Sequence, residues 1–425
     1  MYFIMPQESQ SNLNLNADNS NWRLLMIVLA PVLLLFMTSY CYQLGLFMGL
    51  SGFWPPLALA LYVITYFYKL STKNTAIIPA ISTKELTRYA IIIAVGILAY
   101  DAYAVYEGGW DAWAMWNLHA RFLSDAENWE KMLHPAMSWN SPDYPILLPA
   151  INAWLLRQFE KINPFLAFHL TSVVIFLSTI SIFYWRFRKH FILALFGLLI
   201  IASNQYFFKQ FAEQQADILL GLELLIVILL TDLFAFKHKY ANILLGFVLG
   251  CILNTKNEGL IFILIYSACY GKSIFKNFKS IGLGLLLPLT CYFIFQGLYA
   301  PKGYMNKNTT FRLTANLFKT ERYVEVFEFA KKTLLKELML IIAMLIIGIS
   351  RIARQFKQSL IYLPVILAII AYHFIFIVYD FHLEWQLTTS YSRLIIQLFL
   401  PSLYLIITFL QKNEYRENAI FQQMK

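Results

Sequence analysis

A chain of 425 residues that is 59% hydrophobic and only 14% charged, with apolar runs recurring at about twenty residues, belongs in a bilayer and not around a soluble core. Its formal net charge of +10 would suggest nucleic acid for a soluble domain, but Lys and Arg gather here in short segments between apolar runs, where they set membrane orientation; no nucleic-acid partner is expected. The four cysteines, Cys41, Cys251, Cys269 and Cys291, fall inside apolar runs without metal-type spacing and read as small buried residues.

Residues 1–22 are polar and rich in Asn and Ser, and lack the basic region, apolar run and cleavage site of a signal peptide, which predicts a disordered cytoplasmic tail. Residues 23–42 and 47–68 read as two spans, the second carrying Trp54-Pro55-Pro56 near its outer end, and form a hairpin within residues 23–88. Lys69, Lys73, Lys84 and Arg88 crowd the next connection, which the positive-inside rule places in the cytoplasm. A third span, 89–105, then leads outward into a loop, 106–164, far longer than a helix connection needs.

That loop is aromatic and acidic. Trp110, Trp113, Trp116, Trp129 and Trp139 suit the headgroup region, where an indole keeps its N–H wet, and Asp111, Asp125, Glu127, Glu130 and Asp143 face few cations. Residues 145–159 are apolar but short, which predicts a helix lying in or dipping into the outer interface. Residues 165–185 cross back to Arg186, Arg188 and Lys189; 191–207 return outward, and 216–236 go in again to Lys237, His238 and Lys239.

Two short spans, 240–254 and 260–270, meet at Asn254-Thr255-Lys256-Asn257-Glu258-Gly259. Broken helices leave backbone groups that need protein or water as partners, so Lys256 is expected in an outward-facing cavity. Residues 281–299 lead out to a second loop, 301–333. It holds Lys302, Lys307, Arg312, Lys319, Arg322, Lys331 and Lys332 on the side that should be poor in cations, so either the topology slips there or these charges meet an anion. Tyr323, Val326, Phe327, Ala330 and Leu334 recur at helical spacing and predict an amphipathic interfacial helix. Spans at 334–349, 360–379 and 394–410 complete residues 89–411, and 412–425 form a second cytoplasmic tail. The expectation is an all-α, polytopic protein of a cell (inner) membrane with about twelve transmembrane helices, interfacial helices in the first exterior loop, and both termini cytoplasmic.

Several residues could carry chemistry. Asp111, between Trp110 and Trp113, reads equally as the N-cap of the following helix or as a general base at the membrane surface. Asp217 opens a span, where a carboxylate must be hydrated or paired; it either answers the helix N-terminus or belongs to a site, with Glu213 beside it. Asp143, framed by Pro142 and Pro145 and followed by Tyr144, is aimed by a stiff backbone or is merely part of a proline-rich turn. Lys256 either snorkels to water or binds an anion, and Asn254, Asn257 and Gly259 favour an open pocket with a phosphate as guest. Arg393 is a second contact for that anion or an interfacial anchor. His119, His134 and His169 show no metal-ligand spacing, and a divalent metal on Asp111, Asp143 or Asp217 stays open.

In order, Trp110-Asp111-Ala112, the Pro-flanked Asp143 site, Ala216-Asp217-Ile218-Leu219-Leu220, the Thr255-Lys256 break and Tyr391-Ser392-Arg393 together resemble the GT-C membrane glycosyltransferases. The branch in question contains protein O-mannosyltransferases, the aminoarabinose transferase of lipid A and lipopolysaccharide-core sugar transferases. The resemblance covers roughly residues 89–410. It implies transfer of a sugar, with inversion, from a polyprenyl-phosphate carrier to a lipid or protein acceptor at the outer leaflet. Carried over, it makes Asp111 and Asp217 catalytic, Lys256 and Arg393 the donor-phosphate contacts, and Trp110, Asp143, Tyr144 and Glu213 the lining of the active-site cavity. Ala112 and Tyr144 depart from the family pattern, where an acidic residue and a lysine are common, which bears on metal and phosphate contacts. No cofactor is implied with certainty. The competing readings are a transporter or lipid flippase, for which no internal repeat is found, and a polysaccharide polymerase or ligase.

Overall fold

The computed structural model describes residues 7–50, 56–73, 81–159, 161–301, 316–336, 339–378 and 382–423, and all regular structure among them is helical. Trp54, Pro55, Lys302, Lys307 and Arg312 lie outside the described residues. The first helix, α1 (Gln7–Phe47), begins well inside the segment expected to be a disordered tail. Residues 7–30 contain neither Gly nor Pro, so a helix nucleated by the apolar half extends backward at one hydrogen bond per residue.

There follow α2 (Pro56–Thr72), α3 (Thr83–Tyr103), a π turn (Ala112–Trp116) leading into α4 (Asn117–Ser124), then α5 (Leu147–Phe159), α6 (Pro164–Phe187), α7 (Phe191–Ser203), α8 (Gln205–Ala212) and α9 (Ala216–Phe234). After them come α10 (Lys239–Thr255), α11 (Gly259–Lys276), α12 (Phe278–Ile294), α13 (Thr320–Lys336), α14 (Met339–Arg354), α15 (Leu363–Val378) and α16 (Phe399–Gln423).

Six helical stretches among the described residues are long and apolar enough to cross a bilayer, or up to nine if each of three bent pairs is one span. Among the described residues, three to six of the twelve expected spans are thus not matched, and the expected span at 47–68 lies partly outside them. α2 and α10 have 17 residues each, about 26 Å of helix against a hydrocarbon core of about 30 Å. α9 carries Asp217, Glu223 and Asp232 and is buried along nearly its whole length by other helices. α5 is buried from Leu147 to Ala153 and again at Leu155 and Leu156, packed against α1, α4 and α6.

α9 is the axis of the arrangement, touching α6, α8, α10 and α16. The C-terminal segment runs alongside it in the same direction, because Asp217 near its start meets Arg393 and Gln397 while Asp232, fifteen residues on, meets Tyr404 and Lys412. At that second end Arg186 ties α6 into the group, at 3.4 Å from Asp232 and 3.1 Å from the Tyr404 hydroxyl.

α10 and α12 cross at their glycines. A Cβ added at Gly284 would lie 1.9 Å from the Ile243 carbonyl oxygen, and one at Gly246 would lie 2.0 Å from that of Ile281, whereas one at Gly282 would meet nothing. Small residues let backbones approach where no hydrophobic drive separates helix from lipid. Gly284→Ala is therefore expected to destabilise the purified protein by roughly 1–3 kcal/mol through overpacking, while Gly282→Ala leaves it unchanged or slightly steadier. Thermal unfolding in lipid nanodiscs compares the two; equal midpoints would refute the close crossing.

The amphipathic helix expected after residue 320 is α13, with Val326 and Ala330 buried and Phe327 exposed. Arg322, one of the cations in apparent conflict with the charge rule, donates to the carbonyls of Ile377 (2.8 Å) and Phe376 (3.0 Å) at the end of α15. A guanidinium there answers orphan carbonyls and the negative end of the helix dipole.

Candidate functional site

The site is built from the α8–α9 junction outward. After α3 the chain is stitched to that junction: Val105 N–H donates to the Ala212 carbonyl (3.1 Å) and Gly109 N–H to that of Glu213 (2.9 Å). Gln214 closes the seam. Its amide nitrogen donates to the carbonyls of Val105 (2.9 Å) and Tyr106 (3.1 Å), and its amide oxygen accepts from Asn117, which in turn accepts from Asn152 of α5. Gln214 holds φ at +60°, a conformation a side chain tolerates only when its surroundings over-determine it. Asp111, at the entrance to the π turn, is thereby laid beside the start of α9.

There four sequence-distant side chains converge. The Asp111 carboxylate pairs with Arg393 Nη2, and that same nitrogen donates to Asp217 Oδ2 at 3.2 Å. Asp217 Oδ1 accepts from Lys256 Nζ (2.9 Å) and from Gln397 Nε2 (2.6 Å). Glu258 stands 3.7 Å from the same ammonium. The exposures divide the cluster into two layers: the Asp217 and Lys256 side chains are 0% and 7% exposed, whereas those of Arg393 and Asp111 are 20% and 24% exposed. An outer pair that solvent can reach thus rests on an inner pair that is closed to it.

Local structure explains each placement. Asp217 sits in the first turn of α9, where a carboxylate is favoured by the dipole. Lys256 ends α10 in extended conformation (φ −152°, ψ 149°), which turns its side chain off the helix axis. The break is held by Asn254, donating to the carbonyls of Gly250 (2.8 Å) and Pro288 (3.0 Å), and by the Thr255 hydroxyl, donating to Glu223 (2.8 Å). Arg393 follows another π turn (Leu387–Tyr391), anchored by Tyr391, whose hydroxyl is 2.8 Å from His373 Nε2. Gly221 lets this segment close on α9, since a Cβ there would stand 3.1 Å from the Gln397 carbonyl.

Of the residues singled out from sequence, Asp111, Asp217, Lys256 and Arg393 meet. Lys256 is buried against Asp217 where an outward-facing position was expected, because the carboxylate satisfies its charge without water. The others stay apart. Asp143 offers its backbone carbonyl to Gln296 Nε2 (2.8 Å), and its carboxylate makes no ion pair among the described residues; Tyr144 stacks edge-on to Trp116. Glu213 pairs with Lys209 (3.4 Å), and Trp110 lies 74% exposed against Trp113. Among the described residues no three His, Cys, Asp or Glu side chains stand so as to hold a metal ion, so the divalent metal left open above has no preformed donor set. Gln397 was missed, though a lone amide four residues after Arg393 in an apolar run is a signal. Gln214 carried no signal, since nothing local in the sequence announces a positive φ.

His119 of α4 is fully buried, and burial pushes its imidazole down to about 4, with the neighbouring Asn140 offsetting part of that effect. The unfolded chain therefore takes up this proton first as pH falls. Stability tied to the neutral ring is whole above the ordinary histidine value of 6.5 and is lost progressively between 6.5 and about 4. At pH 5 the expected loss is about 2 kcal/mol. His119→Leu should remove this part of the acid sensitivity, read as a smaller drop in unfolding midpoint between pH 7 and pH 5 than the parent shows; parallel profiles would sink the assignment.

No family model, curated protein or solved structure matches this chain.

Proposed function

We propose that the chain is an inverting glycosyltransferase that moves a sugar from a polyprenyl-phosphate carrier to an acceptor at the outer face of a cell membrane, with both termini cytoplasmic. The observation that carries this reading is the meeting of Asp111, Asp217, Lys256 and Arg393 around one guanidinium that two carboxylates share. The Arg393 side chain is 20% exposed, so the guanidinium is open to an incoming phosphate oxygen.

In this mechanism the donor phosphate engages Arg393 and releases Asp111 from it. The acceptor hydroxyl attacks the anomeric carbon from the face opposite the phosphate while Asp111 takes its proton. A bond forms from the acceptor oxygen to the anomeric carbon, the bond from that carbon to the phosphate oxygen breaks, and the electron pair leaves on the polyprenyl phosphate, where Arg393 stabilises the growing charge. Asp217, wholly buried, positions Arg393 and Lys256 without touching the sugar. Lys256 acts through Asp217, which replaces the direct phosphate contact expected of it from sequence.

Purified protein in nanodiscs, given radiolabelled polyprenyl-phosphate sugars and a cell-envelope lipid and protein extract, should release free polyprenyl phosphate as label moves to the acceptor fraction. Label that only changes leaflet while still on its carrier would support a flippase instead. Label that stays in place with every donor would reject the transferase.

A further inference from the structure

A cavity of about 190 Å³ opens beside the π turn that begins one residue after Asp111. Its floor is the buried Asn117 and Phe168, and its rim carries Trp113 and Trp139, 56% and 60% exposed, together with the exposed Glu107 and Arg121. Neither the Arg121 guanidinium nor the Glu107 carboxylate has a hydrogen-bond or ion-pair partner among the described residues. The space would hold about six waters, and hence one sugar-sized ring.

The chemistry of the rim selects among guests of that size. An acyl chain would cover Arg121 and Glu107 without giving either a partner, at the desolvation cost of both charges. A phosphate would pair with Arg121 but face the like charge of Glu107. A neutral sugar ring suits both, since its hydroxyls accept from the guanidinium and donate to the carboxylate. Its C–H face is apolar and slightly positive, which matches the electron-rich face of an indole. We propose that this cavity binds one neutral sugar ring, and that the ring belongs to the acceptor. Only the second half of that statement rests on the transferase reading; the sugar assignment rests on the cavity itself.

The test uses the full chain in nanodiscs on an array of neutral hexose and heptose oligosaccharides. Binding of at least one glycan is expected, weakened about tenfold in Trp113→Ala/Trp139→Ala, as the loss of two stacking contacts implies. Glu107→Gln should weaken it several-fold. Both indoles are exposed, so the double variant is expected to unfold at the parental temperature. Absence of neutral-glycan binding, or binding indifferent to the double variant, would overturn the proposal. So would quenching of these two indoles by lipid spin-labelled on its acyl chains, since lipid would then fill the cavity. Glycan binding without any sugar transfer would sink the transferase reading and leave the sugar site standing.

Discussion

Lys256→Met is expected to destabilise the protein by about 3–5 kcal/mol, the usual cost of removing one partner from a buried ion pair. The Asp217 side chain is 0% exposed, and its Oδ1 takes its ionic contact from Lys256 at 2.9 Å, with only the neutral Gln397 amide left on that oxygen. Without the ammonium, Asp111 and Asp217 share the single guanidinium of Arg393, and Glu258 loses its cation. The double variant Asp217→Asn/Lys256→Met removes both buried charges and should recover most of the loss, because a neutral amide costs far less to keep from water. Thermal unfolding of the parent, the two single variants and the double variant forms the cycle. A single Lys256→Met variant that unfolds with the parent, or a double variant no better than the single, would show that the pair does not hold the inner layer together.

The second large effect is on rate and not on stability. Asp111→Asn keeps an acceptor for Arg393 and alters a side chain already 24% exposed, so the unfolding midpoint should move by no more than about 1 kcal/mol. Transfer of sugar should fall roughly 10²–10⁴-fold, since an amide cannot take the proton of the attacking hydroxyl. Binding of the polyprenyl-phosphate donor should persist, because Arg393 remains and has one carboxylate fewer to leave. Arg393→Ala would behave differently, losing donor affinity as well as rate. Full turnover by Asp111→Asn would remove the proposed base; lost donor binding in that variant would assign Asp111 to the donor and not to the acceptor proton.

Asp111, Asp217, Lys256 and Arg393 are all legible as candidates in the amino-acid sequence, and for one reason. A charge in or beside an apolar run is costly unless something compensates it, so each such residue implies a partner. The partner itself is not legible there: Asp217 and Lys256 are 39 residues apart, Arg393 and Asp217 are 176 apart, and no local rule links them. Asp143, Tyr144, Glu213 and Trp110 stand out for local context alone, and in the structure they stay apart from the cluster around Arg393. Pro142 and Pro145 do stiffen a turn, but it is the Asp143 carbonyl, and not its carboxylate, that the turn offers to Gln296.

By itself the sequence determined an apolar, helical chain, the amphipathic character of residues 320–336 and the break at Lys256, because hydropathy, helical periodicity and helix termination are sums over neighbours in the chain. Tertiary structure alone decided that α9 is an internal axis, that α5 is buried, that α10 and α12 touch at Gly246 and Gly284, and that one guanidinium joins two carboxylates from opposite halves of the chain. A hydropathy window scores the transfer of a segment out of water and is blind to whether lipid or another helix receives it; only the packing of distant segments makes that choice.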